Sequence, residues 1–186
     1  MTLVVTPDVL IPRDDTMVVT ELAIKKALFL NQNPRILDLC TGSGCIGLAI
    51  AKRVKDARVT LGDISPAALR VARRNVQNQH LAGRVSCLPI DVRKPKQEFL
   101  GSFDLIVSNP PYVTSEEMKN LDPSVRDFEP HLALDGGDDG QPGAAHGTDG
   151  GDVAAEVDEV VGRGDGAHLF KDRPAHGGLQ RVHALR

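Results

Sequence analysis

An open α/β fold built on a parallel sheet is what this sequence predicts for residues 1–135. Three observations carry it. Short apolar runs alternate with amphipathic stretches of helical length, the runs end in turn or acidic residues, and a glycine-rich turn follows the first run. Strands separated by helices of this length lie parallel and are joined by right-handed crossovers.

The elements follow in order. Asp14-Asp15-Thr16 offers capping side chains ahead of an amphipathic run over residues 17–30. Pro34 then precedes the first strand, Arg35-Ile36-Leu37-Asp38-Leu39-Cys40, and a glycine turn leads into a helix over about residues 45–54. Val59-Thr60-Leu61 is the second strand. Ser65-Pro66 is an N-cap followed by proline at the first helical position, opening a helix that runs to about Gln79 and ends near Gly83. A third strand covers residues 85–90, and after a polar loop the fourth is Phe103-Asp104-Leu105-Ile106-Val107-Ser108.

The last 51 residues are of another kind. Six of the 18 glycines precede Gly136 and twelve follow from it, starting with Asp135-Gly136-Gly137-Asp138-Asp139-Gly140. No run of β-branched or aromatic residues there makes a strand, and only residues 152–161 carry a short helical pattern. Such a segment offers little burial against its ordering entropy, so residues 136–186 are expected to be a disordered tail. The abrupt change of composition reads as translation in a shifted frame. The fourth strand is then expected to be an uncovered apolar edge.

Composition narrows the function. At 186 residues the chain has room for one domain, and its net charge of −3 provides no basic field for a nucleic-acid partner. No apolar run approaches the ~20 residues of a membrane span, and the start lacks a signal-peptide pattern, so a cytoplasmic protein without a membrane partner is expected. Cys40, Cys45 and Cys87 are odd in number and match no zinc spacing, which points to reduced thiols and no metal.

Two motifs carry chemistry. The first is Asp38-Leu39-Cys40-Thr41-Gly42-Ser43-Gly44-Cys45-Ile46-Gly47, a strand-to-helix turn where Gly42 and Gly44 let the backbone approach a ligand at a helix N-terminus. Alone, it equally suits a dinucleotide. The acids favour S-adenosyl-L-methionine. Asp38 puts a carboxylate where the cofactor's cationic end could lie and where a pyrophosphate would be repelled. Asp63 and Asp91 follow the next two strands, placed for the ribose hydroxyls and the adenine amino group, although either also suits a cap or loop role.

The second motif is Asn109-Pro110-Pro111-Tyr112, closing the fourth strand. Prolines have no N–H, so their carbonyls accept without competing donors. Asn109 adds a side-chain oxygen and Tyr112 a flat face. The set suits a planar amino group held by its hydrogens while its nitrogen attacks. Methyl transfer to an amide or exocyclic amine is that chemistry.

With these residues in view, the chain resembles the HemK/PrmC family, the release-factor glutamine N5-methyltransferases. Four stretches match: Thr6-Pro7-Asp8-Val9-Leu10-Ile11-Pro12-Arg13, the Asp38 turn, Asn109-Pro110-Pro111-Tyr112, and Phe128-Glu129-Pro130-His131-Leu132-Ala133-Leu134. The N-P-P-Y motif also occurs in amino-directed DNA methyltransferases; the first and last stretches point to the release-factor branch. The likeness runs from about Thr6 to Gly140. Neither the family's helical N-terminal domain nor its continuation beyond Gly140 has a match.

The resemblance implies a Rossmann-like methyltransferase fold, here an incomplete, doubly wound sheet of strand order 3-2-1-4. It implies methyl transfer from S-adenosyl-L-methionine to the glutamine amide of a Gly-Gly-Gln loop in peptide chain release factors. By the same resemblance Cys40, Thr41, Gly42, Ser43, Gly44 and Asp63 bind the cofactor, Asn109 stands at the cofactor–substrate junction, and Asn109 to Tyr112 hold the amide. The alternatives are an inactive cofactor-binding fragment, a DNA adenine methyltransferase, and an NAD-binding dehydrogenase half-domain.

Overall fold

The computed structural model describes residues 1–30, 32–94, 102–138 and 181–184. Helix α1 (Asp14–Leu28) leads into strand β1 (Arg35–Leu39), then α2 (Cys45–Arg53), β2 (Arg58–Asp63), α3 (Pro66–Asn78) and β3 (Val85–Pro89). Strand β4 (Leu105–Ser108) follows, then a 3-10 turn (Glu117–Asn120), a short helix α4 (Pro123–Arg126), a second 3-10 turn (His131–Ala133) and β5 (Arg181–Ala184). The sheet order is β3-β2-β1-β4-β5, with the first four strands parallel as the sequence predicts.

The alternation of side chains along each strand divides the core. Ile36, Val59, Leu61, Val85, Leu105 and Val107 point to the face that receives α1, α2 and α3. Leu37, Leu39 and Ile106 point to the other, where they meet Phe103, Ile90 and Val92. Among the described residues, therefore, all three long helices share one face, and the second layer of a doubly wound sheet is not present. The β3–β4 connection includes residues 95–101, outside the described part.

Three expectations need correction or restriction. The acids before α1 do not cap it: the helix begins at Asp14, Arg13 is the N-cap in extended conformation, and no side chain makes a cap bond. Asp14 and Asp15 instead lie in the first turn, where they complement the positive end of the helix dipole, as Lys25 and Lys26 do in the last. The β4 edge is not bare, because residues 181–184 pair with it antiparallel, Leu105 opposite Ala184 and Ser108 opposite Arg181. An edge strand presents unpaired N–H and C=O groups that any extended segment can satisfy, so Arg181-Val182-His183-Ala184 needs no strand-like composition. Lastly, of the tail expected to be disordered over residues 136–186, Gly136 and Gly137 are bonded to Val113 and Ser115 and residues 181–184 form a strand. Residues 139–180 and 185–186, with the expected helix at 152–161 and the shifted frame, lie outside the described part.

The Ser65 expectation holds: its hydroxyl accepts from the Ala68 amide at 3.2 Å, and Pro66 opens α3. Asn75 on that helix is fully buried. Its amide accepts from Val4 N at 2.7 Å and donates at 2.9 Å to the carbonyls of both Val4 and Ser43. One side chain thus joins the N-terminal segment to the turn after β1.

Candidate active site

Open α/β sheets place ligands beyond the carboxyl ends of their strands. A cavity of about 400 Å³ lies there, at the ends of β1, β2, β3 and β4. Cys40, Thr41, Gly42 and Ser43 enter it from β1, Asp63 from β2, Asp91 from the loop after β3, and Asn109 and Pro111 from β4. Asp38, Gly44, Pro110 and Tyr112 do not line it. The sequence candidates therefore converge, with four of them behind or beside the wall.

The turn after β1 is a braced cradle. Cys40 sits at φ +53°, unusual for a residue with a side chain, and swings the chain off the strand. Thr41 N donates to Gly62 O at 3.0 Å, and Gly44 N to Thr41 O at 2.8 Å. Gly44, at φ +83°, is the N-cap of α2. Gly47 permits the helix to lie against the sheet: a Cβ there would come within 2.3 Å of Leu61 Cδ2 and 3.0 Å of Asp38 Oδ2.

Asp38 is the keystone beneath this turn rather than a wall of the cavity. Its Oδ2 accepts from Thr41 Oγ1 at 2.6 Å and from Gly47 N at 2.9 Å, while Oδ1 is buried with no partner among the described residues. Burial pushes its carboxyl up to about 7; the bonds from Thr41 and Gly47 oppose that rise and the charge of Asp63 adds to it.

Asp63 also serves the turn. Oδ2 accepts from Gly42 N at 2.9 Å and Oδ1 from Ser65 N at 2.9 Å, leaving each oxygen a further lone pair toward the cavity. Asp91 is held on both oxygens by the Arg93 guanidinium at 2.9 Å, and that hydrogen-bonded pairing keeps its carboxyl below the usual range. Cys40 is pushed up to about 12 and Cys45 to about 11, chiefly by burial, so neither is a thiolate nucleophile and both act as small packing groups.

At the end of β4 the Asn109 Oδ1 is buried and has no partner among the described residues. An unpaired acceptor of this kind is costly unless a ligand donor completes it. Tyr112 stands beside the cavity with its ring about half exposed.

Two walls escaped the sequence reading of the site. Asp8, Val9, Leu10 and Pro12 form one, and Pro130, Leu132, Ala133 and Asp135 another. The signal lies in residues 6–13 and 128–134, the two stretches that carry the family resemblance. They meet in space: Arg13 Nη2 donates to Glu129 Oε1 at 2.5 Å. Residues 129–137 form a strap, fixed at its far end by Val113 N to Leu134 O, Gly136 N to Val113 O and Ser115 N to Gly137 O. Among the described lining residues the acids Asp8, Asp63, Asp91 and Asp135 outnumber the single base Arg93, a balance that suits a cationic ligand. Among the described residues no cluster of ligating side chains could hold a metal, and no helix is long and apolar enough to cross a membrane.

The chain is 46% identical over 132 residues to the release factor glutamine methyltransferase of Clostridium acetobutylicum, covering 71% of this chain and 46% of that protein. It is 47% identical over 105 residues to the ribosomal protein uL3 glutamine methyltransferase of Francisella tularensis subsp. tularensis, covering 56% and 32%. The chain thus spans about half the length, or less, of these curated relatives. Among solved structures the METTL16 MTase domain superposes with a TM-score of 0.51 at 15% identity, over 64% of this chain and 49% of that one, a likeness of fold alone. The methyltransferase small domain matches residues 18–126, which hold the glycine turn, the three acids and the whole Asn109 to Tyr112 motif. A sheet of this order, a cradle at its carboxyl end and that match together make this chain a member of the methyltransferase small domain family.

Proposed function

We propose that this protein transfers a methyl group from S-adenosyl-L-methionine to the side-chain amide nitrogen of the glutamine in a Gly-Gly-Gln loop of peptide chain release factors. The observation that carries the reading is the buried Asn109 Oδ1, without a partner among the described residues, on the wall of an acid-lined cavity. It asks for an N–H donor, and the prolines after it offer carbonyls and no competing donor.

The residues present fit the cofactor. The turn at residues 40–43 and Asp63 supply backbone approach and carboxylate acceptors for a ribose, and the surrounding acids favour its positive charge. When bound, the cofactor supplies an electrophilic methyl whose leaving group is a neutral thioether. The chain's own work is positional. Asn109 Oδ1 and the Pro110 carbonyl accept from the substrate amide, which concentrates its delocalised lone pair on nitrogen and aims it. Held so, the substrate nitrogen would attack the methyl that a bound cofactor supplies, and the amide proton, made acidic by that attack, would pass to water. Orientation is the main gain, so no strong base is required.

The second reading, cofactor binding without turnover, is favoured by one observation: the turn at residues 40–43 and Asp63 line the cavity, whereas Pro110 and Tyr112 of the acceptor motif do not. One experiment separates the readings. The chain is incubated with methyl-labelled S-adenosyl-L-methionine and a release factor, with a Gln→Ala version of the Gly-Gly-Gln loop and adenine-containing DNA in parallel. Label in the intact loop alone supports the proposal. Saturable cofactor binding with no transfer supports the second reading, and label in DNA or preference for a nicotinamide dinucleotide overturns both.

A further inference from the structure

Leading segment and strap close over the same cavity but are fastened to each other differently from the rest of the site. The strap's far end is fixed to the backbone after Tyr112 by three N–H to C=O bonds. Its near end meets the leading segment through the Arg13–Glu129 ion pair. Glu129 is buried, its side chain 6% exposed, and its second oxygen has no partner among the described residues; the Arg13 side chain is 48% exposed. A buried carboxylate held by one guanidinium is an expensive group to separate, so the pair has two states, shut or broken. Val9, Leu10 and Pro12 lie on one side of it and Pro130, Leu132 and Ala133 on the other, all on the cavity wall.

We propose that the Arg13–Glu129 pair is a clasp that retains the cofactor: its closure joins the two walls around the ligand, and its breaking sets the rate at which the ligand leaves. Both are positioning residues, since neither lines the cavity. The inference rests on the S-adenosyl-L-methionine reading above.

The test uses the whole chain and S-adenosyl-L-homocysteine as probe, its dissociation followed by chase with excess unlabelled compound. Arg13→Ala and Glu129→Gln should each speed dissociation about tenfold, the scale of one charged hydrogen bond, and the double variant should be no faster than either. Arg13→Lys, which keeps the charge, should stay near the parent. If Glu129→Gln does not fold, Arg13→Ala against Arg13→Lys makes the same comparison at the exposed partner. Tight binding with unmoved dissociation rates, or additive effects in the double variant, overturns the clasp and leaves the cofactor reading intact. No saturable binding by the parent chain overturns both.

Discussion

Replacing Asp38 by Asn isolates the electrostatic cost of the turn that carries the site. Asparagine keeps an oxygen where Oδ2 accepts from Thr41 Oγ1 and Gly47 N, and it cannot ionise. The parent carboxyl titrates at about 7 when folded against an ordinary value of 3.8. Such a group binds more protons in the folded chain than in the unfolded one between those two values. Its contribution to stability therefore falls as pH rises through that window and is constant above and below it. The difference corresponds to about 4 kcal/mol, a large part of the 5–15 kcal/mol of an ordinary domain. Urea unfolding from pH 4 to pH 8 measures it. The Asp38→Asn protein should gain on the parent steadily between about pH 4 and 7, and the titrating groups that do not feel the Asp38 charge cancel in the comparison. Curves that run parallel across the window would refute the claim that a buried, ionisable carboxyl underlies the turn.

Three further outcomes are expected. Gly47→Ala should destabilise the chain by about 1–3 kcal/mol, because the new methyl meets Leu61 and Val59 in a filled core; an unchanged urea midpoint would show that α2 shifts freely. Asp63→Ala should weaken S-adenosyl-L-methionine by about 1.5–3 kcal/mol per lost charged bond in calorimetry. It should also lower the melting temperature, since the Gly42 and Ser65 amides lose their acceptor, and unchanged affinity would remove Asp63 from the site. Asn109→Ala should reduce methylation of the release-factor glutamine by about 10²-fold with cofactor affinity unchanged, the scale of losing one positioned polar group; turnover near the parent rate would end the cradle role.

The elements that position the cavity were legible because each has a local cause. Ser65 and Pro66 mark the start of α3 within the sequence itself, and the run at residues 35–39 is too apolar and too well punctuated to be anything but a buried strand. What was not legible depends on distance or geometry. Arg13 and Glu129 are 116 residues apart, and no periodicity links them. The carboxylate of Asp38 was expected to face the ligand; its place beneath the turn follows from the Thr41 hydroxyl and the Gly47 amide, which only the folded backbone brings together. Strand β5 is held by its neighbour's need for backbone partners, a property of the β4 edge and not of residues 181–184.

The buried amide of Asn75 makes the first residues of the chain a tether with a fixed address. Thr2 O is held by Gln79 and Val4 by Asn75 on both its backbone groups, and the same Asn75 nitrogen reaches the Ser43 carbonyl under the cavity. Tension on residues 2–4 therefore reaches the binding turn through the Asn75 side chain as well as along the backbone to the cavity wall at residues 8–12. A bulky fusion or a surface attachment at that end would distort ligand binding before it lowered overall stability, whereas the same load applied at an exposed loop would be absorbed locally.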